Sequence, residues 1–349
     1  KRRKKTIMEL YEKYFIIKET LTPACHASTI YKKKNGEILT AWFGGSREGA
    51  DDVGIFLSRK SEGADFQTAE KMAGGKEPHW NPVLFSTNDQ KVFLFYKKGR
   101  KIAHWRTYIR ISQDGGRTFG KERELVTGDI GGRGPVRNKP IQLQNGLILC
   151  PASVEGKEWK AFVDISENNG ESFVRSNWIE IAGMRNLLSQ TKNMESGKNK
   201  NGDIPVSDQS FYGRGVIQPT LWADDNSEIH MLLRSTEGRI YRSDSKDGGY
   251  NWSEAVPTEI PNNNSGIDMT KLADGRLVLV HNPVGENWGM RSPLSLSVSE
   301  DNGKTFSRLY DLESGPGEYS YPAIVSEKDE VYITYTYNRK NVVFCHMKI

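Results

Sequence analysis

Ser112-Gln113-Asp114-Gly115-Gly116-Arg117-Thr118-Phe119 is the stretch from which the architecture can be read. The pattern Ser-x-Asp/Asn-x-Gly-x-Thr/Ser/Asn-aromatic returns at Ser166–Phe173, Ser245–Trp252 and Ser299–Phe306. Each copy follows a strand-like run, such as Thr107–Ile111 or Leu294–Val298. The residue types are those of a hairpin tip. Asp or Asn caps turn amides, Gly takes a positive φ, and the aromatic tucks beneath the next strand.

Working outward from these turns, a second repeat lies upstream of each. Short strands open at His26, Asn81, Lys139, Gln218, Asp268 and Tyr321, at intervals of 50 to 79 residues. A polar turn follows each of them, and then a second strand: Ile38–Phe43, Val92–Tyr96, Leu147–Cys150, Ile229–Leu233, Leu277–Val280 and Val331–Tyr335. Six strand–turn–strand–strand units with no amphipathic helical stretch between them predict radial sheets, an all-β six-bladed β-propeller. The last unit has only three strands, and Tyr14–Lys18 precedes the first unit as an orphan; pairing the two would close the ring. The expected organisation is a basic segment over 1–13, disordered or helical, then a single propeller over 14–349. A long polar insertion is expected at about 185–214, either an active-site loop or a surface insertion.

Composition excludes several classes. The 349 residues carry 49 Lys+Arg against 44 Asp+Glu, with 8 Trp, 14 Tyr and 13 Phe, which suits a folded domain and not a disordered chain. No apolar run is long enough for a membrane-spanning helix. Three scattered cysteines, Cys25, Cys150 and Cys345, offer neither a disulfide framework nor a zinc spacing, and no metal or cofactor motif is visible. The excess positive charge is concentrated in Lys1-Arg2-Arg3-Lys4-Lys5, which leaves nucleic acid without a binding face.

The octapeptides resemble the Asp-boxes, or bacterial neuraminidase repeats, of the sialidase superfamily, and the repeats cover nearly the whole chain. That resemblance implies an Arg-Ile-Pro motif on the first strand, an acid/base Asp on a following loop, and two more carboxylate-binding arginines. It also implies a Tyr nucleophile polarised by a Glu from the fourth blade. Met231-Leu232-Leu233-Arg234 places Arg234 as the second arginine, and Met290-Arg291-Ser292-Pro293 places Arg291 as the third. Glu318-Tyr319-Ser320-Tyr321 resembles the nucleophile strand; Tyr321 holds the strand-start position and Tyr319 fits the Tyr-Ser letters. Trp42–Asp52, which contains Arg47, resembles the loop that delivers Asp51 or Asp52 as proton donor. Two positions depart from the pattern. Cys25-His26-Ala27 stands where Arg-Ile-Pro is expected, and Gln218 stands for the activating Glu. The Cys-His-Ala-Ser-Thr-Ile and Ala-Trp-Phe-Gly-Gly motifs are similar to those of the "predicted neuraminidase" branch.

The candidate site is therefore the propeller mouth, with His26, Asn81, Lys139, Gln218, Asp268 and Tyr321 as a polar ring. Guanidinium forks match a carboxylate, so Arg234 and Arg291, with Lys139, would hold an acidic sugar. Asp51 or Asp52 would donate the proton. Tyr321 or Tyr319 would face the anomeric carbon, with Glu318 or Asp268 as its base. His26 suits acid–base work or a neutral hydrogen bond. Cys25, its neighbour, points the other way along the strand. Trp80, Trp105 and Trp288 would offer stacking faces. The expected activity is an exo-acting glycoside hydrolase on a terminal acidic sugar of a glycan. The alternatives are a uronic-acid lyase using His26 and Tyr321, or a propeller that binds glycans without cleaving them. A glycan substrate favours a secreted or periplasmic setting.

Overall fold

The computed structural model describes residues 8–184 and 213–349; the insertion expected at about 185–214 lies outside them up to residue 212, with Arg214 already opening a strand, and the basic run at Lys1–Lys5 also lies outside them. The described residues hold strands and one 3-10 turn at Ile102–His104. The first antiparallel sheet has β2 (Ala24–Lys32), β3 (Ile38–Gly45), β4 (Gly54–Lys60) and β5 (Glu70–Ala73). The second has β6 (His79–Ser86), β7 (Val92–Lys98), β8 (Arg106–Ser112) and β9 (Arg123–Glu124).

Next come β10 (Ile141–Gln142), β11 (Ile148–Glu155), β12 (Glu158–Ser166) and β13 (Val174–Arg175). They are followed by β14 (Arg214–Ala223), β15 (Ile229–Ser235), β16 (Arg239–Ser245) and β17 (Val256–Pro261). A short parallel contact, Glu158 with Arg214 and Trp159 with Gly215, joins these two groups into one eight-stranded sheet. The fifth group is β18 (Asp268–Lys271), β19 (Leu277–His281), β20 (Leu294–Ser299) and β21 (Ser307–Glu313). The sixth is β22 (Tyr319–Glu327), β23 (Glu330–Tyr337) and β24 (Asn341–Lys348). Its fourth strand is β1 (Glu9–Phe15), paired antiparallel with β24. The amino-terminal strand thus begins at Glu9 rather than Tyr14. Tyr14 packs 5.6 Å from Phe344, and the register then carries the strand back past Lys13 and Glu12. Each second strand starts within one residue of its expected position.

The inner strands are buried on both sides because neighbouring sheets cover both of their faces, as the burial of every residue of Val92–Lys98 illustrates; outer strands such as Val174–Arg175 and Val256–Pro261 are largely exposed. Leu39 and Phe43 meet Leu94 and Trp80, joining the first sheet to the second, and Phe93 meets Cys150, joining the second to the third group. Trp42 and Cys25 meet Phe344 and Val342, so the sixth sheet packs back on the first.

The Asp-boxes lie between the third and outermost strands and fasten neighbouring sheets. In the last box, Ser299 Oγ accepts from Gly303 N at 2.9 Å, and Asp301 accepts from Thr305 N at 2.9 Å and Thr305 Oγ1 at 2.6 Å. Gly303 has a φ of +76° and presses against Trp222 of β14, where a Cβ would come within 2.9 Å of the indole. Burial works against ionisation of Asp301, yet the Thr305 hydroxyl and amide hold its carboxyl down at about 2. A carboxyl depressed in the folded state stabilises above its unfolded range and loses that contribution as pH falls through its folded value. Unfolding midpoints should therefore drop between about pH 4 and pH 2, and Asp301→Asn should flatten that part of the curve. A midpoint–pH curve of unchanged slope in the variant would contradict this.

Candidate active site

The inner strands share a backbone device. β2, β6, β14 and β22 each carry a bulge, and its central residue has positive φ: Ala27 (55°), Asn81 (42°), Gln218 (51°) and Tyr321 (53°). Left-handed backbone at non-glycine residues costs energy and turns side chains out of the pleat. Asn81, Gln218 and Tyr321 thereby reach one cleft with about 640 Å³ of empty space open to solvent. Trp80, Trp105, Trp159 and Trp288 wall it, and Trp288 is 45% exposed.

Three guanidiniums converge here. Arg234, on β15, is buried; its Nε donates to Asn264 Oδ1 at 2.8 Å. Its Nη1 donates to Gln218 Oε1 at 3.1 Å and to Tyr321 Oη at 2.8 Å. Arg291 donates from Nη1 to Glu318 at 2.9 Å and Ser320 Oγ at 3.4 Å. Arg339, from the β23–β24 turn, donates from Nε to both oxygens of Glu318 at 2.9 and 3.0 Å and from Nη1 to Glu48. All three line the same cleft, and Nη2 of each makes no hydrogen bond among the described residues. A fork pinned along one edge and open at the other is a preorganised donor for an oxyanion.

Burial opposes ionisation of Glu318, but Arg291 and Arg339 hold its carboxyl below the usual carboxylate range. His26 lies under this group, its ring 4.2 Å from that of Tyr321 and its Nδ1 3.0 Å from Thr336 Oγ1. Burial first, then the charges of Arg339, Arg291, Arg137 and Arg234, hold His26 well below its ordinary range, so it is neutral. Arg137 lies beyond Tyr321, its guanidinium carbon 5.2 Å from the ring centre and its Nη2 donating to the Tyr321 and Pro322 carbonyls at 2.5 and 2.8 Å.

The structure thus brings together His26, Asn81, Gln218, Tyr321, Arg234, Arg291 and Trp80, with Trp105 and Trp288. It separates others. Asp51 is exposed and forms a two-pronged ion pair with Arg100 at 3.0 Å. Asp52 is also exposed, and caps its own loop through Ser46 N and Oγ at 2.9 Å. Neither borders the cleft, because the loop that carries them folds back on itself and presents Glu48 instead. Arg47 lies exposed beside Glu48, lining a small neighbouring hollow with His26 and Arg339. Tyr319 points into the apolar seam, its hydroxyl donating to the Pro316 carbonyl at 3.0 Å. Lys139 and Asp268 face one another as an ion pair at 2.9 Å, away from the lining of the cleft.

Arg339, Glu48, Glu155 and Trp159 are cleft residues that the sequence does not single out. Arg339 reads as an ordinary hairpin residue in Asn338-Arg339-Lys340, and Glu155 as a strand end. Among the described residues, Asp224, Glu228 and His230 could surround a metal, but they sit away from the cleft. Arg242 and Asn302 point donors at His230 from 3.0 and 3.2 Å, which opposes a cation.

The sequence profile of the BNR repeat-like domain matches residues 36–333. Curated protein sequences yield no match. Solved structures do. A crystal structure of a protein of unknown function from Dyadobacter fermentans has a TM-score of 0.74 at 14% identity, over 98% of this chain and 99% of that one. The Hadza microbial sialidase has a TM-score of 0.72 at 13% identity, over 94% of this chain and 66% of its own. Trypanosoma rangeli sialidase in complex with sialic acid has a TM-score of 0.66 at 13% identity, over 95% of this chain and 55% of its own. The chain thus spans about half to two thirds of the length of those two sialidases and shares their fold.

Proposed function

The chain belongs to the BNR repeat-like domain family, and from that premise we propose that it is an exo-acting glycosidase that removes a terminal acidic sugar, of the sialic acid type, from a glycan. In this reading the packed sheets are the blades of a single six-bladed propeller whose last blade is completed by β1. The observation that carries the proposal is the trio of Arg234, Arg291 and Arg339, which line one cleft, each with an Nη2 that makes no hydrogen bond among the described residues. They would grip the sugar carboxylate, with Arg339 supplying the guanidinium that the first strand lacks.

Tyr321 Oη, fixed by Arg234 at 2.8 Å, would stand against the anomeric carbon and stabilise its developing positive charge. The tryptophan walls would stack on sugar faces and keep water out. Gln218 has no charge to give the tyrosine; its carbonyl oxygen instead holds Arg234. The lyase alternative would require His26 to take a proton, which burial and four neighbouring guanidiniums oppose.

Incubation of the purified chain with sialosides and uronides, followed by mass spectrometry, should release a free acidic sugar with one water added. An unsaturated product would mean elimination, and an oligosaccharide bound but intact would mean recognition alone. Either result would overturn the hydrolase reading.

A further inference from the structure

We propose that Arg137 is a positioning residue of this site: reaching across from the third group of strands, it clamps the bulge of β22 and so aims Tyr321 into the cleft. The inference rests on the glycosidase reading above and adds what fixes the tyrosine from behind.

Bulges set main-chain acceptors outside the ladder. Strand β22 pairs with β23 through Ser320 and again from Ala323, so Tyr321 and Pro322 fall outside the register. Strand β14 pairs with β15 through Ile217 and again from Thr220, so Gln218 and Pro219 do the same. Carbonyls of the interior that lie off the ladder need another donor. Arg137 Nη2 donates to the Tyr321 and Pro322 carbonyls at 2.5 and 2.8 Å. Asn138 Nδ2 repeats the arrangement, donating to the Gln218 and Pro219 carbonyls at 3.0 Å each. The next residue, Lys139, donates to the Met269 carbonyl of the fifth group at 2.8 Å. Three consecutive side chains thus end on the inner strands of three other groups, and two of them clamp a bulge in the same way.

What the first clamp holds bears on turnover. Tyr321 has a φ of 53°, a backbone state that a bulky side chain keeps only where its surroundings over-determine it. Its hydroxyl meets Arg234 Nη1 at 2.8 Å, so a relaxed bulge would draw the phenol away from that guanidinium. Arg137 also lies against the phenol ring, its guanidinium carbon 5.2 Å from the ring centre. Arg234 and Arg291 stand at 5.8 and 5.5 Å from the same ring. Arg137 is buried, and its Nε and Nη1 make no hydrogen bond among the described residues. A cation held in the interior by two carbonyls and a ring is costly to keep there. Alignment of Tyr321 is the use that its contacts give it.

The test compares Arg137→Met, which removes the donors and the charge, and Arg137→Lys with the unaltered protein. The readouts are turnover of a 4-methylumbelliferyl sialoside, calorimetric affinity for free sialic acid, and a crystal structure of each variant. Arg137→Met should lower kcat roughly 10²-fold, the cost of a misplacement of about 1 Å. Affinity should change less than about threefold, because Arg234, Arg291 and Arg339 remain to hold the carboxylate. Arg137→Lys keeps a charged donor and should lose only about three- to tenfold in kcat. The Arg137→Met crystal structure should show Tyr321 out of the left-handed region and its hydroxyl away from Arg234. A role in folding alone would lower the thermal midpoint and the folded fraction, not the turnover of each folded molecule. Unchanged kcat in Arg137→Met, equal losses in kcat and affinity, or an unmoved Tyr321 would overturn the proposal. Should Arg137→Met not fold, Arg137→Lys decides, and either full turnover or no folded protein from it would overturn the positioning role. An unaltered protein that cleaves no sialoside would overturn the glycosidase reading, and the crystal structures would still decide the clamp.

Discussion

Replacing Arg234 with alanine should lower kcat/KM for an acidic sugar about 10³-fold while the protein stays folded. The side chain is buried, and its hydrogen bonds go to Asn264, Gln218 and Tyr321, all uncharged. A positive charge with neutral partners keeps its field for an incoming anion, and losing one such donor costs roughly 10²–10³. Alanine would also free the Tyr321 hydroxyl, which Arg234 fixes at 2.8 Å, so both grip and alignment would go. Arg234→Lys should recover less than about a tenth of the activity. One ammonium on a flexible stem cannot span the three acceptors that a planar fork reaches. Calorimetry with the free sugar separates binding from turnover. A variant that binds and cleaves within threefold of the original would remove Arg234 from the site.

The second large effect concerns stability. Asp268→Ala should destabilise the protein by about 3–5 kcal/mol, because it would leave the partly buried Lys139 ammonium without its counter-charge and the buried Thr220 hydroxyl and Ile324 amide without their acceptor. The Asp268 carboxylate is 2% exposed and accepts from Lys139 Nζ at 2.9 and 3.0 Å, Thr220 Oγ1 at 2.8 Å and Ile324 N at 2.9 Å. Those donors come from three other groups of strands, so one side chain ties four of them at the centre. At roughly 2–4 °C per kcal/mol for chains near this size, the thermal midpoint should drop about 10 °C. Pairing Lys139→Met with Asp268→Leu should restore most of the loss, since two apolar groups leave no buried charge behind. A fall of less than about 3 °C in the single variant would contradict the account.

Much of the fold was legible in the sequence because it is built from turns. The Asp-box letters specify a local hydrogen-bonding pattern that ends the third strand of a unit, and the structure has each box in that position. The site was legible only in part. Arg234, Arg291 and Tyr321 could be placed because motif letters surround them. The strand-start ring was not uniform: Ala27, not His26, occupies the bulge position shared with Asn81, Gln218 and Tyr321, and Lys139 and Asp268 satisfy each other. Bulge phase depends on backbone dihedrals, and a shift of one residue reverses which face a side chain takes. Arg339, Glu48 and Glu155 left no signal, because charged residues at turns and strand ends are ordinary. Their meaning comes from sheets far apart in sequence meeting at one cleft.

The pairing of β1 with β24 sets a constraint on biosynthesis. Glu9 lies beside Lys348 and Phe15 beside Val343, so this ladder joins the first and last described strands. During translation, residues 9–15 leave the ribosome before their partner strand exists, and cannot settle until β24 has emerged. Up to that moment Cys25, Trp42 and Tyr14 lack the Phe344 that they pack against. Contacts of such long sequence separation form late and slowly, and unmatched strand edges invite intermolecular association. The yield of native protein should thus depend on how long a chain that still lacks β24 waits, which makes strand β1 a determinant of folding efficiency rather than of catalysis.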